Sequence, residues 1–185
     1  MKKLLVLVMV LVLGTFAFGQ GTNQADVLFT ATVTDATIIE LSVGDAVWDA
    51  LRPGVSYKCI ADFPANNTNI TPFIEETFEP AQIDIVGAPN SDIVLTFILP
   101  TVLLPDGGIG VITMDYDNQS ANWFDDNLGQ NNFFNPLSPF TVTLNSDGAA
   151  IVLLGGNPTV GVNASGGVTF NGYALVTAEY TGMAL

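Results

Sequence analysis

Along most of this chain apolar and polar residues alternate in short runs. Gly, Pro, Asn and Asp cut the runs before any helical spacing develops. Strands are therefore expected at 27–34, 37–43, 54–60, 81–86, 92–99, 110–116 and 139–145, and then at 149–154, 159–162 and 173–180. Turn chemistry separates most of them: Arg52-Pro53-Gly54, Gly87-Ala88-Pro89-Asn90, Pro105-Asp106-Gly107-Gly108 and Ser146-Asp147-Gly148. The stretch 145–185 reads as a closing β-meander whose consecutive runs pair with one another. In its last run Ala174, Val176, Ala178 and Tyr180 share one face and Tyr173, Leu175, Thr177 and Glu179 the other, so the first set is expected in the core. In the first run Val27, Phe29, Ala31 and Val33 share a face; this strand is expected to pair within its own sheet, the other outcome being donation to a neighbouring molecule.

Many short strands at regular spacing, with no repeat of constant period, predict an all-β fold, an antiparallel β-sandwich of about seven to ten strands. Two segments break the pattern. Residues 62–80 and 117–139 are rich in Asn, Asp, Phe and Pro and are expected as long decorated loops. The second holds Trp123, Phe124, Phe133 and Phe134, with Phe140 just beyond. These rings either close an open end of the sandwich or present an apolar, amide-rich surface to a glycan or a neighbouring subunit.

The chain begins with Lys2 and Lys3, an apolar run from Leu4 to Leu13 and the small-residue pattern Ala17-Phe18-Gly19, which reads as a secretory signal peptide over 1–19. The run is short for a bilayer core of about 30 Å, and no later segment is apolar enough to span one. The expectation is an exported protein of the periplasm, cell surface or extracellular space. Residues 20–185 are of a size for one domain. Hydrophobic residues make up 49% of the sequence and charged residues only 12%, which excludes a disordered chain.

Charge narrows the partners. Past the signal the only cations are Arg52 and Lys58, against 18 acidic side chains, so the side-chain charge is −16. Nucleic acid and anionic membranes are poor partners for such a surface. Cys59 is the single cysteine and has no internal disulfide partner. It shares a strand face with Val55 and Tyr57, where a thiol behaves as a small buried hydrophobe.

The chain has no histidine, which removes the commonest general base and metal ligand. Carboxylate pairs occur at Glu75/Glu76 and Asp125/Asp126, but adjacent carboxylates do not define a shared site, and no enzyme is expected. Asp115, Asp117 and Asp126 are spaced as part of a calcium loop; the sixth position is Ser120 instead of glycine, so only a looser calcium site is expected there. Open sandwiches protect border strands, often with lysine. With one lysine after the signal, this chain is free to associate through its edges with a second copy or a peptide strand.

Three groups of residues resemble a family of small exported bacterial proteins, domain-of-unknown-function family forty-four-oh-two. They are Leu41-Ser42-Val43-Gly44-Asp45-Ala46-Val47 with Pro53-Gly54-Val55; Ala81-Gln82-Ile83-Asp84-Ile85-Val86-Gly87 running into 93–100; and Gly155-Gly156-Asn157-Pro158-Thr159-Val160 with Gly172-Tyr173 and Glu179-Tyr180. The resemblance implies an immunoglobulin-like β-sandwich outside the cytoplasm, similar to pilin and spore-coat-type subunits, and transfers no catalytic residue. The functional expectation is a structural or assembly subunit of a surface layer, matrix or fibre. The alternative is a monomeric module that recognises a glycan or a surface protein through 117–140.

Overall fold

The computed structural model describes residues 23–33, 39–63, 70–72, 76–125 and 128–181. The expected signal segment 1–19, Glu75 and Asp126 lie outside these residues. The described residues form sixteen strands and no helix. In chain order they are β1 (Asn23–Val33), β2 (Glu40–Val43), β3 (Ala46–Leu51), β4 (Lys58–Cys59), β5 (Ile70–Thr71), β6 (Thr77–Glu79), β7 (Ala81–Val86), β8 (Asp92–Ile98), β9 (Val102–Pro105), β10 (Ile112–Asp115), β11 (Ala121–Asp125), β12 (Gln130–Phe134), β13 (Phe140–Thr143), β14 (Ala149–Leu154), β15 (Asn157–Val160) and β16 (Thr169–Tyr180). The expected all-β sandwich is the fold, with more and shorter strands than seven to ten.

A nine-stranded sheet runs β15-β10-β9-β16-β1-β3-β6, with β8 also beside β16 and β13 outside β8. A five-stranded sheet runs β12-β11-β14-β7-β2, and β4 pairs with β5. Between the two larger sheets lies one apolar core, in which Trp48, Phe78, Ile83, Ile85, Leu95, Ile112, Val152 and Phe170 are buried. Strict alternation produces it. β7 reads buried-exposed at successive residues, and β16 buries Phe170, Gly172, Ala174, Val176, Ala178 and Tyr180 in turn, as the period-two pattern of its last eight residues predicts.

β16 is the hub of the large sheet. It pairs in parallel with β1 over a ten-residue register, and on its other side with β9 at Phe170–Asn171 and β8 at Leu175–Tyr180. The first strand thus pairs within its own chain, and it does so in parallel, so the sandwich is mixed and not wholly antiparallel.

The expected closing meander is not formed. β14 lies between β11 and β7 in the small sheet, β15 pairs with β10, and neither touches β16. The reason lies in Gly155-Gly156, where the chain crosses between sheets in two residues. A Cβ on Gly155 would sit 2.4 Å from Phe78 Cζ, and one on Gly156 would sit 2.7 Å from Tyr116 Cε1. Core rings pack directly on this backbone, so the link turns through the interior where a hairpin would turn at the rim.

The segments expected as long loops hold strands. β5 and β6 fall within 62–80, and β11 and β12 make a hairpin within 117–139. Their Asn, Asp and Gln content hid them, because pairing and burial overrode low strand propensity. β11 is covered on both faces, with Trp123 turned toward Phe140 and Phe124 against Phe63, so no alternation is left to read.

Candidate functional site

The borders of the two sheets are the places where this fold presents unsatisfied backbone to a partner. They differ in how they are covered. β15 is overlaid by the segment 54–57: Gly54 N–H donates to Val160 O at 2.9 Å, Tyr57 N–H to Pro158 O at 2.8 Å and Val160 N–H to Val55 O at 2.9 Å. Cys59 N–H donates to Asn157 Oδ1 at 2.9 Å.

Both cations of 20–185 fasten this cover. Arg52 Nε lies 3.0 Å from Glu76 Oε1, and the buried Glu76 also accepts from Tyr57 Oη at 3.2 Å. Tyr57 Oη in turn accepts the Arg52 backbone N–H at 2.9 Å. Lys58 Nζ is ion-paired with Asp117 Oδ2, which also accepts from Asn157 Nδ2 at 2.9 Å, while Asp117 Oδ1 accepts from Gln119 N–H at 2.8 Å. Partial burial pushes the Asp117 carboxyl up, but the bonds from Lys58, Gln119 and Asn157 outweigh it and hold the carboxyl below the usual range.

These contacts place the residues of the expected calcium loop. Asp117 is occupied by Lys58, Gln119 and Asn157, Asp115 is exposed at the end of β10, and Asp126 lies outside the described residues. No group of three or more Cys, Asp or Glu that could hold a metal occurs among the described residues. The Cys59 thiol is buried, and that burial pushes its pKa up to about 12, so at neutral pH it is a core thiol.

The aromatic residues expected at a ligand surface are divided between core and rim. Trp123 is 9% exposed and Phe134 6%. Phe134 stacks on Phe140 at 3.9 Å with planes 3° apart, and Trp123 meets Phe140 edge-on at 6.3 Å. Phe124 packs on Phe63, leaving Phe133, at 39%, as the exposed ring of the four. Trp123 and Phe134 are thus packed into the fold and Phe133 is not.

The residues that pattern reading missed are the amides of β12. Gln130 and Asn131 are exposed, as is the expected Phe133, Asn132 is half-buried, and among the described residues no strand pairs with the outer side of β12. The available signal was a run of seven residues, Gly129 to Asn135, with no charge and no proline. A second missed surface is a shallow groove of about 590 Å³ on the outer face of the large sheet, lined by Pro100, Val102, Leu104, Asp106, Asn171 and Tyr173. Tyr173 is 74% exposed there.

Asp26, on β1 beside β3, is a strongly perturbed carboxylate. Partial burial, then the Asp45 charge and more weakly Asp49, push its pKa up to about 6 against a smaller opposing hydrogen bond from Gln24. Its Oδ1 is buried with no hydrogen-bond partner among the described residues.

Compared with protein-family models and with curated proteins, the chain matches none.

Proposed function

We propose that this chain is a non-catalytic, exported structural or assembly protein of a bacterial cell surface or extracellular matrix. The observation that carries the reading is a sandwich with open borders in a chain whose two cations past the signal are both committed to ion pairs. Border strands in such a molecule lack the lysines that keep sheets apart, and association is the physical consequence. The signal-like start and the family resemblance support the compartment. Light scattering and negative-stain microscopy of the secreted protein test the reading. Oligomers or filaments that grow with concentration are expected; a monomer at every concentration, with and without calcium, overturns it.

A monomeric binding module is the second reading, favoured by the groove at Tyr173. An exposed phenol ring beside the Asn171 amide and the Asp106 carboxylate suits an uncharged sugar ring, which stacks on the aromatic face while its hydroxyls bond at the rim. A glycan array separates the two. Binding by the wild type that is lost in Tyr173→Ala favours the module, and a blank array removes it.

A further inference from the structure

The border strands are β15, β6 and β13 in the large sheet and β12 and β2 in the small one. β15 is covered, β2 opens with the exposed Glu40, and β6 closes with the exposed Glu79. β12 and β13 contain no charged residue, and among the described residues no backbone hydrogen bond covers their outer sides. The two strands lie on one flank of the sandwich, since Phe134 of β12 stacks on Phe140 of β13 across the sheets.

Two features of β12 specify its occupant. Gln130, Asn131 and Asn132 carry carboxamides, each both donor and acceptor, so the strand is complementary to itself. Residues 20–185 carry a charge of −16 and copies repel wherever carboxylates meet, whereas β12 and β13 bear no charge of their own and the Asp62 carboxylate beside β12 is engaged by Asn131 Nδ2 at 3.1 Å and by Phe63 N–H at 2.8 Å. Exposed apolar residues bracket the strand: Leu128 at 67% before it and Leu137 at 60% after it. Antiparallel pairing centred on Asn132 sets each Leu128 opposite Pro136 of the other copy, the neighbour of its exposed Leu137.

We propose that β12 is a homotypic docking edge, at which two copies of this chain pair their β12 strands antiparallel about a two-fold axis and join their five-stranded sheets into one continuous sheet. The interface is isologous and closes as a dimer. It rests on the assembly reading above and adds which border is used.

Sedimentation velocity over about a hundredfold range of concentration tests it on the full chain as wild type, Asn132→Lys, Leu137→Asp and Ser42→Lys. The wild type is expected to shift from monomer to dimer. Asn132→Lys puts an ammonium on the edge and raises the apparent Kd at least about tenfold. Ser42→Lys, on the opposite border of the same sheet, makes the same change in net charge and leaves the dimer intact. Leu137→Asp lies outside the strand, on an exposed connection, and weakens the dimer even if the lysine variant folds poorly. A wild-type dimer that survives both Asn132→Lys and Leu137→Asp, or one that only Ser42→Lys dissociates, overturns β12 as the edge while leaving assembly standing. A wild type that stays monomeric throughout overturns both.

Discussion

β15 and β12 are both border strands, and their surroundings are opposite. Beside β15 the chain lays a second segment, backbone bond by backbone bond, and fastens it with Arg52 to Glu76 and Lys58 to Asp117. Beside β12 no strand pairs among the described residues; its exposed side chains are amides and a phenyl ring, and the one side-chain contact from 54–63 is Asp62 Oδ1 accepting from Asn131 Nδ2 at 3.1 Å. The difference shows that border protection in this molecule is local. Two cations suffice for one border, and the strand that forms the other carries no charged residue of its own. One border is a stability element and the other a contact element, so substitutions should separate folding from association.

The largest expected effect is at the covered border. Glu76→Ala leaves the half-exposed Arg52 without its ion-pair partner and the buried Tyr57 Oη without its acceptor, a loss that costs about 2 kcal/mol. Chemical denaturation should show a lower midpoint with unchanged slope; an unchanged midpoint would mean that the cover over β15 does not depend on this pair.

A middle-sized effect depends on pH and lies inside the large sheet. The Asp26 pKa in the folded chain, about 6, is above its ordinary 3.8, so the folded state binds this proton more tightly than the unfolded one. The contribution is fully present below pH 3.8 and is lost as pH rises through 6. Allowing for its partial exposure, Asp26→Asn should stabilise the protein at pH 7.5 by about 1 kcal/mol and flatten the melting-temperature profile between pH 4 and 7. A variant that keeps the wild-type slope would place the titration elsewhere. Asp117 has the opposite sign, because its lowered pKa gives stability that is present above pH 3.8 and lost as pH falls through the lower folded value.

The smallest effect on stability is expected at the bare border. Asn132→Lys should melt within about 0.5 kcal/mol of the wild type, as border substitutions away from buried networks do, although it weakens the dimer. A melting temperature that falls as far as that of Glu76→Ala would erase the distinction between the two borders.

The first and last strands show how unevenly the sequence can be read. The buried set Ala174, Val176, Ala178 and Tyr180 was readable because alternation on a half-buried strand has period two and needs no knowledge of neighbours. The partners of that strand were not readable, since β1, β8 and β9 come from distant parts of the chain and neighbouring runs make the easier guess. The aromatic cluster at 117–140 was visible as composition. Its division into core rings at Trp123 and Phe134 and a rim ring at Phe133 depended on the β11–β12 register.

By itself, then, the sequence determined the all-β class, the faces of its regular strands, the buried thiol and the scarcity of cations, because local periodicity and composition act without reference to the rest of the chain. Only the tertiary structure decided that the terminal strands pair in parallel, that Gly155-Gly156 crosses between sheets, and that both cations guard one border while an amide-rich strand lines another. The physical reason is that a border exists only relative to its neighbours: whether a strand ends a sheet is set by which distant segments pair beside it, and no short-range pattern records that.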